Sequence, residues 1–220
     1  MIIPCIRNSP VVGRETVLTA EVRGFTPDEP WTSRRVGDHF YNALADFAVE
    51  NLKGPGTCLV IGSPIFEAEE LANSWSVTYI DVRDAPFSPF IKADAANIPM
   101  PDSSVDAVSS TCVLCHIGLG RYGDPLVDDG DMKMLREIAR LLKSGGLAVL
   151  AFGPVYDGDE FIRIGTFHRV YTIKEALRMS ADAGLAVMRY KIYGLIEGWL
   201  DEVPVNNVLG SYYLSMLLKK

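Results

Sequence analysis

The chain has 220 residues, 48% apolar and 22% charged, the balance of a soluble globular protein with a sizeable core. Its formal net charge of −7 at pH 7 argues against a nucleic-acid partner, because a phosphate backbone rewards a basic face. No apolar run approaches the roughly 20 residues that cross a bilayer. The opening MIIPCIRNSPVVG does not read as a secretory signal, so a cytoplasmic protein without a membrane partner is expected.

Residues 1–33 are rich in Pro, Arg and Glu and show no firm periodicity; they read as an arm or lid ahead of one domain over 34–220. A helix is expected over 34–52. TCLVIG (57–62) is an apolar, β-favouring run closed by glycine, the pattern of a buried strand. Ser63-Pro64 then offers an N-cap and a first-turn proline for a helix through IFEAEELANS. SVTYID (76–81) and FIKAD (90–94) read as the second and third strands, VDAVSSTCVLC (105–115) as the fourth. In DMKMLREIARLLKSGG, Met132, Leu135, Ile138, Ala139 and Leu142 share one helical face, and Gly145-Gly146 are expected to stop the helix. LAVLAFG (147–153) is the fifth strand. A polar excursion (154–170), a helix (172–184), the strand LAVMRYKIY (185–193) and a closing strand over 210–220 complete the chain. Seven strands alternating with helices imply an α/β protein with one doubly wound, mostly parallel sheet covered on both faces.

Ligands of such sheets bind beyond the carboxyl ends of the strands, where strand order reverses. Gly62-Ser63 follows the first strand. Asp81 ends the second, 19 residues after Gly62, near the spacing at which an acid reaches a ribose diol. Asp94-Ala95 ends the third. Each acid could equally be a solvated strand end, and Gly62 simple punctuation between strand and helix. Glu67 falls in a first helical turn, where the helix dipole favours an acid.

Cys112-Val-Leu-Cys115-His116 spells the attachment signature of a c-type haem. Haem attachment normally follows export, which nothing in the sequence suggests. Zinc would need further ligands, and only His39 and His168 remain, far off in sequence. A redox pair lacks thioredoxin-like context. The cysteines read as packing residues, and no metal is expected. The acids Asp124, Asp128, Asp129 and Asp131 invite calcium or magnesium, yet EF-hand spacing fails and Asp131 suits a cap or first-turn position. FHRVYT (167–172) either brings His168 and Tyr171 toward a site or supplies Thr172 as a helix cap.

At VIGS, YIDVR, KADAANIPMPDSSVDAV and LREIARLLKSGGLAVLAF the chain resembles the class I S-adenosylmethionine-dependent methyltransferases, over residues 57–193. GSPIFEA, HIGLGRYGDP and HRVYT are similar to a narrower branch of methyltransferase-like proteins. The resemblance implies a Rossmann-like sheet whose last strand is antiparallel, S-adenosyl-L-methionine as cofactor and S-adenosyl-L-homocysteine as product. It implies that Gly62, with Ser63, lies under the methionine part and that Asp81, with Val82 beside it, holds the ribose hydroxyls. Asp94 would accept from the adenine amine while the Ala95 amide donates to the ring. Cys112 and Val113 would flank the sulfonium; Glu67 either answers only the helix dipole or, as a second reading, faces the cofactor's ammonium. The usual glycine-rich loop is reduced to Gly62, with Pro64, Ile65 and Phe66 where small residues normally stand.

Three functions follow as expectations. The first is methyl transfer to a small molecule, with His116 as base and Tyr122, Asp124 and His168 behind it. The second is a non-catalytic binding or regulatory protein, motivated by the reduced glycine loop. The third, a dinucleotide enzyme, is weakened because G-x-G-x-x-G is missing.

Overall fold

The computed structural model describes residues 11–12, 15–18, 39–156, 161–196, 199–202 and 212–220. In chain order these form β1 (Val11–Val12), β2 (Glu15–Leu18), α1 (His39–Asn51), β3 (Thr57–Ile61), α2 (Ile65–Leu71), β4 (Ser76–Asp81), β5 (Phe90–Lys92) and β6 (Val105–Thr111). After a 3-10 turn at Leu114–His116 come α3 (Gly130–Leu141), β7 (Leu142–Tyr156), β8 (Phe161–Ile164), β9 (His168–Thr172) and α4 (Ile173–Asp182). The last are β10 (Ala186–Ile196), β11 (Trp199–Glu202) and β12 (Tyr212–Lys219). Most of the arm expected over 1–33 lies outside the described residues; its described parts are β1 and β2, the latter parallel to β8.

Seven strands pair in the order β5-β4-β3-β6-β7-β12-β10. The first five are parallel, and β12 runs antiparallel to both its neighbours. From β3 the chain steps outward through β4 and β5, then returns to add β6 and β7 on the other side. The order therefore reverses between β3 and β6, and ligands of open α/β sheets bind at that place.

Alternation along each strand divides the core. Leu59 and Ile61 of β3 pack with Met134, Leu135 and Ile138 of α3 and with Met179 of α4. Cys58 and Val60 face Leu44, Phe47 and Ala48 of α1 and Leu71 of α2. Helices thus cover both faces, which is why the central strands read as nearly unbroken apolar runs.

Three expectations need correction. The helix of residues 131–146 stops at Leu141, because Leu142 already pairs with Val105 and turns extended. The glycines lie inside the start of β7, where a Cβ on Gly146 would meet the Lys143 carbonyl at 2.9 Å. The polar excursion of 154–170 holds the end of β7 together with β8 and the start of β9; β9 pairs with the extended end of β7. Finally, Ser63 does not cap α2, which starts after Pro64 with no side-chain cap. The Ser63 hydroxyl turns inward and accepts from the Thr111 amide at 2.8 Å.

Candidate active site

The carboxyl ends of β3 to β7 open into one cavity of about 300 Å3. Gly62, Ser63, Asp81, Val82, Asp94, Ala95, Cys112 and Val113 all line it. Asp81 and Asp94 therefore face the same space. The turn at Gly62 needs glycine twice over: its φ is +60°, and a Cβ there would lie 2.9 Å from the Val113 side chain. Cys112 also takes a left-handed backbone, φ 56°, where β6 gives way to the 3-10 turn.

The Asp81 carboxylate is buried and held in a fork by Arg83. Oδ1 accepts from the Arg83 amide (2.8 Å) and Nε (3.0 Å), and Oδ2 accepts from Nη2 (2.8 Å). A ribose diol must share these oxygens with Arg83 or move it aside. Asp94 Oδ1 accepts from the Ala96 amide at 2.9 Å.

Glu67 does not line the cavity. It is fully buried behind the floor, accepting from the Ser109 hydroxyl at 2.7 Å and the Thr111 hydroxyl at 2.6 Å. Burial raises its pKa, and the hydroxyls of Thr111, Ser109 and Ser63 pull the other way.

The segment after β6 forms the opposite wall with His116, Arg121, Tyr122 and Asp124, joined by Phe167 and His168 at the start of β9. This segment folds back tightly: a Cβ on Gly118 would come within 2.9 Å of the Gly130 Cα, so loop and helix start pack backbone to backbone. Asp124 fastens the loop, accepting from the amides of Gly118 (2.8 Å), Gly120 (3.2 Å) and Tyr122 (3.1 Å). The neighbouring acids point elsewhere, Asp128 to Arg163 and Asp129 to Lys133, each at 2.9 Å.

The profile of a methyltransferase domain matches residues 67–150. Among solved structures, Burkholderia thailandensis 1,6-didemethyltoxoflavin-N1-methyltransferase, with bound 1,6-didemethyltoxoflavin and S-adenosylhomocysteine, superposes at a TM-score of 0.60. It is 17% identical, with 83% of this chain and 79% of that one covered. The fold is that of the class I methyltransferases. YcgJ from Bacillus subtilis shares it at 13% identity, TM-score 0.55, covering 81% of this chain and 98% of that one. So does the [4+2]-cyclase SpnF, at 17% identity, TM-score 0.58, covering 81% and 80%. One fold thus carries chains named for different reactions, and the site must decide between them. A search of curated proteins by sequence finds no match.

On the methyltransferase sheet the segment after the fourth strand of the parallel core, here β6, carries His116. Its Nδ1 lies 2.8 Å from the Phe167 carbonyl, which only an Nδ1–H can approach as a donor. The remaining nitrogen, Nε2, is then a lone-pair acceptor, and among the described residues nothing donates to it. Burial, then the Arg121 charge, lower the His116 pKa to about 3 and that of His168 to about 4. An unfolded histidine titrates near 6.5, so between about pH 6.5 and 4 the unfolded chain takes up protons that the folded chain refuses. Stability therefore falls as pH drops through that window and is unaffected by these rings above it. A His116→Gln/His168→Gln variant should show a shallower loss of melting temperature from pH 7 to 4.5 by scanning calorimetry. Parallel curves would mean the rings charge freely in the fold.

Cys112 and Cys115 are buried free thiols, and burial raises both pKa values, which suits packing residues. Among the described residues no group of three or more potential ligands gathers at metal-binding distance. Of the two possibilities raised by FHRVYT, both occur in part. His168 reaches the cavity, and Thr172 caps α4 by accepting from the Glu175 amide at 2.9 Å. Tyr171 stays in the core, its hydroxyl on the Asp131 carboxylate (3.2 Å) and near the Leu114 carbonyl (3.3 Å).

Sequence reasoning did not single out Arg83, Arg121 or Arg169. Arg83 was legible as a cation two residues past a strand-end acid, Arg121 as the charge inside a glycine-rich loop. Arg169 carried no signal, because a fully buried arginine in a strand looks like a surface residue until its partners are seen.

Proposed function

We propose that the protein is an S-adenosylmethionine-dependent methyltransferase acting on a small-molecule acceptor and releasing S-adenosylhomocysteine. One observation carries the reading: Asp81 and Asp94 face a single cavity at the reversal point of a class I methyltransferase sheet. Asp81 accepts from the ribose hydroxyls, Asp94 from the adenine amine, and the Ala95 amide donates to the ring. Gly62 lies beneath the methionine part, and Cys112 and Val113 border the sulfonium. Glu67 supports the floor through Ser63, Ser109 and Thr111 rather than touching the ammonium. The segments GSPIFEA and HIGLGRYGDP, which suggest the narrower methyltransferase-like branch, supply the floor and the opposite wall.

When bound, the cofactor supplies an already activated methyl group, so the chain's main task is alignment. His116 Nε2 would accept a hydrogen bond from the acceptor's O–H or N–H and so orient the acceptor atom's own lone pair for the transfer. The low basicity of the ring makes this an orienting contact first and a proton sink second. Tyr122, 5.5 Å from the His116 ring centroid and edge-on, limits where the acceptor can lie. Asp124 acts by holding the loop.

Isothermal calorimetry with S-adenosylmethionine and S-adenosylhomocysteine tests the reading, with one site and micromolar affinity expected for each. No heat and no thermal shift with either would leave a non-catalytic protein on this fold. Incubation with a low-mass cell extract should release S-adenosylhomocysteine. His116→Ala should slow that release by about 100-fold or more while cofactor affinity is retained; an unchanged rate removes His116 from the chemistry.

A further inference from the structure

The acceptor wall has a feature that methyl transfer alone does not require. The Arg121 guanidinium carbon lies over the Phe167 ring, 4.1 Å from its centroid, with the Tyr122 centroid at 5.2 Å. Its Nη1 donates to the Phe167 carbonyl at 3.0 Å. Arg83 also sits 4.7 Å from the Tyr122 centroid, so one phenol ring contacts two guanidiniums. The aromatic rings fix Arg121 in place, and a planar guanidinium held in this way presents a fork matched to a carboxylate or phosphate.

The acids lining the same cavity are committed elsewhere. Asp124 is bound by three backbone amides, Asp81 by Arg83, and Asp94 by the Ala96 amide. The cations that bear on the two imidazoles are Arg121 and Arg83 on His116 and Arg121 on His168. A bound sulfonium would add another positive charge. Of the two lining guanidiniums Arg83 is paired with Asp81, whereas Arg121 stands on the acceptor side beside His116 and Phe167, where an anionic group gains from its charge.

Building on the methyltransferase reading above, we infer that the acceptor carries an anionic group, carboxylate or phosphate, received by Arg121 while His116 Nε2 faces the atom to be methylated. The anion joins the contacts Arg121 already makes. Phe167 and Tyr122 lie beside it and His168 and Tyr213 line the same cavity, so an aromatic body suits the rest of the acceptor.

The test uses the full chain saturated with S-adenosylhomocysteine and titrated with benzoate, phenyl phosphate and, as an uncharged control, benzyl alcohol. At least one anion should bind about tenfold tighter than benzyl alcohol, and the better of the two names the group as carboxylate or phosphate. Arg121→Gln should erase the preference while S-adenosylhomocysteine affinity stays unchanged. Arg121→Lys, which keeps charge but loses the fork, should retain only part of it and serves as the test if the glutamine variant does not fold. Anions binding no better than the alcohol, or a preference that survives Arg121→Gln, overturns the inference. So does a loss of S-adenosylhomocysteine affinity in the arginine variants, which would assign Arg121 to the cofactor. If wild-type protein binds no S-adenosylhomocysteine, the methyl-transfer reading fails. The same titration without cofactor then still decides the anion site, by the same comparison of wild type with Arg121→Gln.

Discussion

Asp81→Asn should weaken S-adenosylhomocysteine binding by at least about 2 kcal/mol, roughly thirtyfold in Kd, as read by calorimetry. The carboxylate is the one acid at the end of β4, and hydrogen bonds to an ionised acceptor each contribute about 1.5–3 kcal/mol. The asparagine amide keeps the shape but replaces one acceptor by a donor, so it meets one ribose hydroxyl well and the other badly. Arg83 complicates the experiment, because the same substitution frees its guanidinium from a 2.8 Å ion pair. Arg83→Met resolves this. With the fork removed, both Asp81 oxygens are open to ligand, so the single variant should bind the cofactor at least as tightly as wild type. Adding Asp81→Asn in that background should still cost the full loss. If Asp81→Asn matters only when Arg83 is present, the carboxylate serves to hold Arg83, and the ribose contact proposed for it falls away.

The parallel core was readable because β3 and the LAVLAF stretch of β7 are buried on both faces and so appear as compact apolar runs between glycines. Strand-end acids are equally visible, since Asp81 interrupts SVTYID at its last residue. Other features depend on partners distant in sequence. β8 and β9 are only four and five residues long and pair with β2 and β7, so nothing in so short a local stretch marks them as strands. The end of α3 was set by Val105 pairing with Leu142 rather than by the glycines three residues later. In the site, Glu67 read as a first-turn acid near the cofactor. Its inward rotamer follows from three hydroxyls on α2's approach and on β6, and no local pattern encodes that. Asp124 read as a possible catalytic acid, while its carboxylate is taken by amides four and six residues earlier and two residues earlier in its own loop.

Arg169→Met should lower unfolding free energy by about 3–5 kcal/mol, the cost of leaving a buried charge without its partner. Arg169 and Asp131 are both fully buried, with Nε and Oδ2 3.7 Å apart. The guanidinium also donates to the Ile117 carbonyl at 2.6 Å and the Asp128 carbonyl at 3.0 Å. It therefore ties β9 to both ends of the loop that carries Arg121, Tyr122 and Asp124. Removing it takes the guanidinium away from the buried Asp131 carboxylate, which keeps donors such as the Tyr171 hydroxyl and Met132 amide, and from two interior carbonyls. Asp131→Asn in the same chain removes the buried charge, so the double variant should recover a large part of the loss in urea denaturation. The functional consequence should be selective. Hydrogen exchange across residues 117–130 should quicken and acceptor-side binding weaken, while the cofactor side, built from the ends of β3, β4 and β5, should keep its affinity. A single variant that loses under about 1 kcal/mol would show that the charge of Asp131 is satisfied without Arg169. The loop would then owe its position to the Gly118–Gly130 contact and the Asp124 amide bonds alone.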